Sequence, residues 1–283
     1  MRATIGALLA LSGLSGCLAD PDEGTPWRLV WEDTFDGPEG SPPDPSVWSL
    51  ETGTGPNGDG WGNLELQHYT DRPDNVDLDG NGFLRIRARR EAFEDSDWTS
   101  ARLKTQGAQA FTFGRMEARV NLPAGQGLWP AFWTLGEDIT EVPWPGCGEI
   151  DILEVRGQEP DVVFGTVHGP GYAGSESVGA SYKRQEGPFT GAFHTFAIEW
   201  DPHHIAWFLD DELFHTVTPG DLPDGTPWVF DHDFFLLLNL AVGGTFLGPG
   251  GGPDETTPDL AAMGVDYVRV YERVEPLSEA PVE

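Results

Sequence analysis

Apolar and polar residues alternate with a period of two in segment after segment of this chain, and the segments are separated by Gly- and Pro-rich connections. In GRMEARVNLP (114–123), Met116, Ala118 and Val120 take turns with Arg115, Glu117 and Arg119, the pattern of a half-buried strand. FLRIRARR (83–90) and DYVRVYER (266–273) alternate likewise. FHTFAIEWDP (193–202) and HIAWFLDDELFHTVT (204–218) read as two more strand regions, the second a hairpin turning at Asp210-Asp211. FFLLLNLAVGG (234–244) is too apolar to face solvent and should lie inside. No segment of helical length has a clean 3.6-residue period. With 37 Gly and 24 Pro to supply turns, the chain predicts an all-β fold, sandwich or barrel. A two-sheet jelly-roll sandwich is preferred, because its concave face can hold an extended ligand. The 11 Trp and 16 Phe supply ample core. No linker splits residues 28–274, which read as one domain followed by a frayed tail at 275–283.

The first 20 residues, MRATIGALLALSGLSGCLAD, are of another kind. One Arg precedes a short apolar run, Ala3 to Leu11, and then small residues. A bilayer span needs about 20 apolar residues, so the run reads as a signal peptide over 1–16. LSGC (14–17) resembles the bacterial lipobox, in which the Cys is lipidated and becomes the mature N-terminus. Residues 17–27 would then be the lipidated Cys17 and a short polar tether. Leu18 rather than Asp follows the Cys, which points to an outer membrane where one exists. An ordinary signal with a chance Cys, or a hydrophobic N-terminal helix, is the alternative. Cys147 would remain as one free thiol, a Cys17–Cys147 disulfide being the other arrangement.

Forty-seven acidic residues against 16 basic ones give a net charge of −31. Such a field repels nucleic acid, anionic membrane faces and sulfated polymers. A neutral substrate fits best, and membrane contact is expected only through the lipid anchor. The remaining histidines (68, 194, 203, 204, 215, 232) have no metal-ligand spacing, and no phosphate loop or nucleophile elbow is present.

GCGEIDILEVRG (146–157) sets three carboxylates in an apolar run. Glu149 and Asp151, two apart, share a strand face, whereas Glu154 should point the other way. A one-residue bulge between Ile152 and Glu154 would restore it and send Ile150 and Leu153 to the core. The two glutamates would then lie about 13 Å apart at Cα, with roughly 6 Å between carboxyls, near the ~5–5.5 Å of retaining glycosidases. Taken alone, the motif could equally be a solvated acidic edge, or a metal site wanting more oxygen ligands. Its neighbours favour sugar chemistry. Trp129 and Trp133 lie upstream in GQGLWPAFWTLG (125–136), and His168 downstream in TVHGPGY (166–172). Aromatic faces stack on sugar rings, although either tryptophan could instead fill the core.

Around this motif stand WGNLELQHYT (61–70), TSARLKT (99–105), FGRMEARVNLPAGQGLWPAFWTLG (113–136), GTVHGPGY (165–172), FHTFAIEWDP (193–202), LLNLAVGG (237–244) and DYVRVY (266–271). In that order they resemble glycoside hydrolase family 16, and within it the bacterial laminarinase-type endo-β-1,3-glucanases, from Leu29 to Tyr271. The resemblance implies a concanavalin A-like jelly roll. It makes Glu149 the nucleophile, Glu154 the general acid/base and Asp151 the residue that tunes the pair. It implies Asn63, Arg102, Trp129, Trp133, His168 and Asn239 as cleft residues that hold glucose units. No cofactor is implied for catalysis. A structural calcium away from the cleft is implied at Asp266 and the carbonyls of Thr34 and Gly82, with Thr34 standing where many members have Glu. Asp210-Asp211 departs similarly from a common Asp-Gly, for which a small stability cost is expected.

The expected activity is therefore retaining endo-cleavage of laminarin-like β-1,3-glucan by a monomer. Mixed-linkage β-1,3-1,4-glucan, agarose or carrageenan would be other substrates within the family; the scarcity of basic residues near the motif speaks against carrageenan. A sugar hydroxyl could replace water as acceptor. A glucan-binding protein without activity is the rival class, and such relatives typically lack one or both motif glutamates.

Overall fold

The computed structural model describes residues 27–274; the signal, Cys17, most of the tether and the tail lie outside the described residues. Eighteen strands, numbered in chain order, form two sheets. The first sheet runs, in space, β16 (Glu212–Val217), β15 (His204–Leu209), β14 (His194–Asp201), β9 (Gly114–Asn121), β18 (Leu260–Arg273), β5 (Leu84–Phe93), β6 (Ser96–Ser100) and β3 (Gln67–Tyr69). Beside it, β1 (Trp27–Asp33) pairs with β18 and β4 (Val76–Leu78) with β5. The second runs β13 (Val178–Lys183), β12 (Val162–His168), β11 (Glu149–Val155), β10 (Leu128–Gly136), β17 (Phe234–Val242), β7 (Arg102–Lys104) and β2 (Ser49–Glu51), with β8 (Ala110–Phe111) also on β17. All pairings are antiparallel except β3 with β6. The described residues hold no α-helix, only short helical turns. This is the two-sheet jelly roll preferred from the sequence over a barrel.

Alternation also explains which strands read as apolar throughout. Along β17, Phe234, Leu236, Leu238, Leu240 and Val242 enter the core between the sheets. The intervening Phe235, Leu237 and Ala241 bury on the outer face of the second sheet, in smaller clusters with Cys147 or Trp129. Asn239 is the polar member of that outer row. One cluster (Leu135, Cys147, Phe235, Leu237) and the other (Trp129, Ala241, Leu247) thus wall the two ends of a cleft floored by β10, β11 and β17. Burying each Leu or Phe side chain among these stabilises the fold by about 1.5–3 kcal/mol. Neither Trp129 nor Trp133 belongs to the core between the sheets.

The hairpin turns at Asp210-Asp211 as expected, with φ of 48° and 67°. Both carboxylates find partners there. Asp210 Oδ2 lies 2.7 Å from His194 Nδ1, its Oδ1 accepts the Thr195 N–H, and Arg115 donates to Asp211 at 2.7 Å. These contacts offset the strain that Gly would avoid.

Candidate active site

Register shows how β11 presents its acids. Against β12, Asp151 pairs with Thr166 but Glu154 with Phe164; against β10, Asp151 pairs with Trp133 and Glu154 with Ala131. Three steps on β11 thus oppose two on each neighbour, a one-residue bulge. Ile152 and Leu153 both go into the core, with Ile150 and Val155. Glu149, Asp151 and Glu154 therefore share the cleft face. The first sheet locks this geometry, because Trp207 of β15 donates its indole N–H to the Asp151 carbonyl at 2.8 Å. Gly165 makes room for that indole: a Cβ there would meet the Trp207 ring at 2.5 Å.

Each acid has a distinct neighbour. Trp144 Nε1 donates to Glu149 Oε2 at 2.9 Å, and Trp129 Nε1 donates to Glu154 Oε1 at 3.0 Å. The Gly174 N–H donates to His168 Nδ1 at 3.0 Å, so the neutral ring carries its proton on Nε2. That nitrogen lies 3.1 Å from Asp151 Oδ2 and 3.7 Å from Glu149 Oε1. Asp151 Oδ2 is buried and lacks a well-aligned hydrogen bond. Burial raises all three carboxyls. Glu149 is pushed up to about 8, first by burial and then by the charge of Asp151, against His168, Trp144 and Arg102. Glu154 is held well above the carboxylate range by burial and by the Asp151 charge. Asp151 is raised by burial too, with a hydrogen bond to Glu149 opposing. The cluster therefore retains protons at neutral pH, as a proton-sharing acid group does.

The other predicted cleft residues lie toward β7. Arg102 donates from Nε to Glu51 Oε2 at 2.6 Å, with its guanidinium over the Trp61 and Trp133 rings at 4.5 and 4.8 Å. Trp133 donates to Asn239 Oδ1 at 2.8 Å, and Asn239 donates in turn to the Tyr69 hydroxyl at 3.2 Å. Tyr69 and Asn63 both donate to buried Glu65, at 3.1 and 3.3 Å. Asn63, Arg102, Trp133 and Asn239 are thus tied together by Glu51, Trp61, Glu65 and Tyr69, none of which sequence reasoning singled out. Trp144 was missed as well. Its position five residues before Glu149 was the available signal. Trp129 departs from the expectation of a sugar-stacking face: it is 9% exposed, its ring stacks on Phe246 at 4.9 Å, and its N–H serves Glu154.

Two groups bear on metals. Donor atoms of Glu149, Asp151 and His168 lie within 4.8 Å of one another. The nitrogen facing the acids carries the ring proton, so this set does not fit a coordinated cation. Elsewhere, β18 pairs with β1 and β5 so that Thr34, Gly82 and Asp266 come to one end of the first sheet. A Cβ on Gly82 would lie 3.8 Å from the Thr34 carbonyl and 3.6 Å from Asp36 Oδ1, while Asp266 pairs with Arg119. These oxygen donors suit a hard cation in kind. Arg119 competes for the carboxylate.

A jelly roll whose outer sheet face carries proton-sharing carboxylates between aromatic walls defines a polysaccharide-cleaving glycoside hydrolase. Comparison with known proteins agrees. Residues 65–231 match the model for glycosyl hydrolases family 16, and the chain belongs to that family. It is 43% identical to a beta-glucanase of Rhodothermus marinus, over 97% of this chain and 96% of that protein. The laminarinase catalytic domain of Thermotoga maritima superposes with a TM-score of 0.82 at 46% identity, covering 88% of this chain and 99% of that one. The endo-beta-1,3-glucanase of Pyrococcus furiosus gives 0.82 at 48% identity, covering 88% and 96%.

Proposed function

We propose that this chain cleaves internal β-1,3-glucosidic bonds in laminarin-like glucans, with retention through a double displacement. The observation that carries the reading is the β11 bulge, which sets Glu149, Asp151 and Glu154 on one face. The similar proteins of Thermotoga and Pyrococcus support the substrate. In the form of the cluster whose proton sits on Glu154 and not on Glu149, Trp144 occupies Oε2 of the ionised Glu149, leaving Oε1 to attack the anomeric carbon and form a glycosyl ester as the glycosidic C1–O bond breaks. Trp129 occupies Oε1 of Glu154, leaving Oε2 to pass its proton to the departing oxygen. Glu154 then takes a proton from water as that water attacks C1, and the ester bond to Glu149 breaks. Asp151 keeps the cluster's protons high enough for Glu154 to begin as an acid. Asn63, Arg102, Trp133, Asn239 and His168 hold the glucose units.

The chemistry needs no cofactor. Thr34, Gly82 and Asp266, with nearby Asp36, are proposed to hold a structural calcium remote from the acids. The protein is proposed to act as an exported monomer anchored by lipid on Cys17, a reading that rests on the leader sequence and is checked by acyl labelling of wild type against Cys17→Ser. Activity is checked on residues 20–283 with laminarin, mixed-linkage glucan, curdlan and agarose, following reducing ends, product lengths and anomeric configuration. Mixed short products from laminarin, first released as the β-anomer and abolished in Glu149→Gln, are expected. Comparable rates on mixed-linkage glucan would widen the substrate, and binding without cleavage would sink the hydrolase reading.

A further inference from the structure

We propose that Arg156, held between Phe164 and Phe246, forms the subsite for the leaving sugar, on the flank of the acids away from Arg102. The proposal rests on the glucanase reading and deepens it. A polymer lying over β17 and β10 and crossing the acids of β11 must continue over β12. There, Phe164 is the strand partner of Glu154, the residue assigned to protonate the departing oxygen. The Arg156 guanidinium sits in the corner of two rings, 4.6 Å from the Phe164 centroid and 4.7 Å from that of Phe246. The rings stand at 82° to each other. Phe246 turns its other side to Trp129, whose N–H holds Glu154. An unbroken row of rings therefore fixes the position of Arg156 relative to the acid.

The way Arg156 is held distinguishes it from Arg102 on the other flank of the acids and from Arg115. Arg102 is gripped by a carboxylate at 2.6 Å, and Arg115 by one at 2.7 Å. Among the described residues, the carboxylate that Arg156 meets is Glu159, at 3.3 Å, and its Nε is buried without a hydrogen-bond partner. Aromatic packing, rather than ion pairing, orients a planar donor whose capacity is not consumed. Its side chain is 31% exposed, and it lies two residues beyond Glu154, the spacing that keeps a strand face. A neutral, hydroxyl-rich ring is the ligand that such a donor and the adjoining ring edges suit.

The leaving sugar is also the acceptor in the reverse sense. When a sugar hydroxyl attacks the glycosyl ester, its proton goes to Glu154, a new C1–O bond forms and the ester to Glu149 breaks. A subsite that binds this sugar must favour such transfer over hydrolysis. The test compares laminarihexaose with β-laminaribiosyl fluoride, in which the C1–F bond breaks and fluoride departs without filling a sugar subsite. In Arg156→Ala the ratio of kcat/KM for hexaose to that for the fluoride is expected to fall about tenfold. The share of transfer products at high oligosaccharide concentration should fall with it, and Arg156→Lys should recover part of both. Equal slowing on the two substrates would mean a structural role and overturn the proposal, as would unchanged ratios and transfer. Wild-type enzyme that turns over neither substrate would overturn the glucanase reading itself.

Discussion

The Glu149 carboxyl is pushed up to about 8 from an ordinary 4.5, chiefly by burial. Its folded form binds the proton more tightly than the unfolded chain does. Stability should therefore fall as pH rises between those two values, with the full penalty present above the higher one. Glu149→Gln removes the penalty. Calorimetry at pH 8 should find the variant's Tm higher by about 2–6 °C, with the increment gone near pH 4. A lower Tm would mean that the carboxylate is stabilised by its neighbours after all. Asp151 raises both glutamates by its charge. In Asp151→Asn, Glu154 should lose its proton at lower pH, so the alkaline limb of kcat/KM moves acidward by about one unit. A limb that stays put would remove Asp151 from the tuning role. At this scale the acids were legible because their spacing on one segment suffices to pair them. Glu65 and Glu51 were not, since their partners include Tyr69, which reaches Asn239 170 residues away, and Arg102, 51 residues away. Only the finished strand register brings these together.

The β11 bulge was legible for a reason that most strand irregularities lack. Three acids cannot share a face at spacings of two and three unless one residue is extra. β17 was legible in a coarser way: its apolar run showed burial, but not that alternate members serve two separate clusters. Trp207 and Gly165 were invisible in sequence, because the indole crosses from the other sheet to the strand partner's vacant Cβ position. The bulge makes a prediction about spacing. Deleting Leu153 leaves Glu154 four steps from Glu149 in a regular strand, still on the cleft face. Inserting Ala after Ile152 leaves it six steps away, again on the cleft face in a regular strand but about 20 Å from Glu149 at Cα, unless two bulges hold the original spacing. Laminarin turnover should fall at least tenfold further in the insertion than in the deletion, with circular dichroism confirming that both remain folded. The reverse order would show that the bulge positions something other than Glu154.

A net charge of −31 loads the whole molecule with self-repulsion. A bound cation at Thr34, Gly82 and Asp266 would relieve part of it and tie β1 to β18 and β5. Dialysis against EDTA should lower the Tm by about 2–4 °C for each kcal/mol of binding lost, and millimolar Ca²⁺ should restore it in wild type but not in Asp266→Asn. No change on chelation would leave Arg119 as the sole partner of that carboxylate. The wall beside Glu149 offers a different kind of access to the molecule. Cys147 is fully buried there between Leu135, Phe235 and Leu237, its thiol pushed up to about 11. A thiol so shielded can be alkylated only while the wall stands open, so its labelling rate acts as a clock for the breathing of one side of the cleft. An oligosaccharide that props the wall shut should slow that clock in proportion to its occupancy, so binding could be timed in a Glu149→Gln protein that no longer turns over.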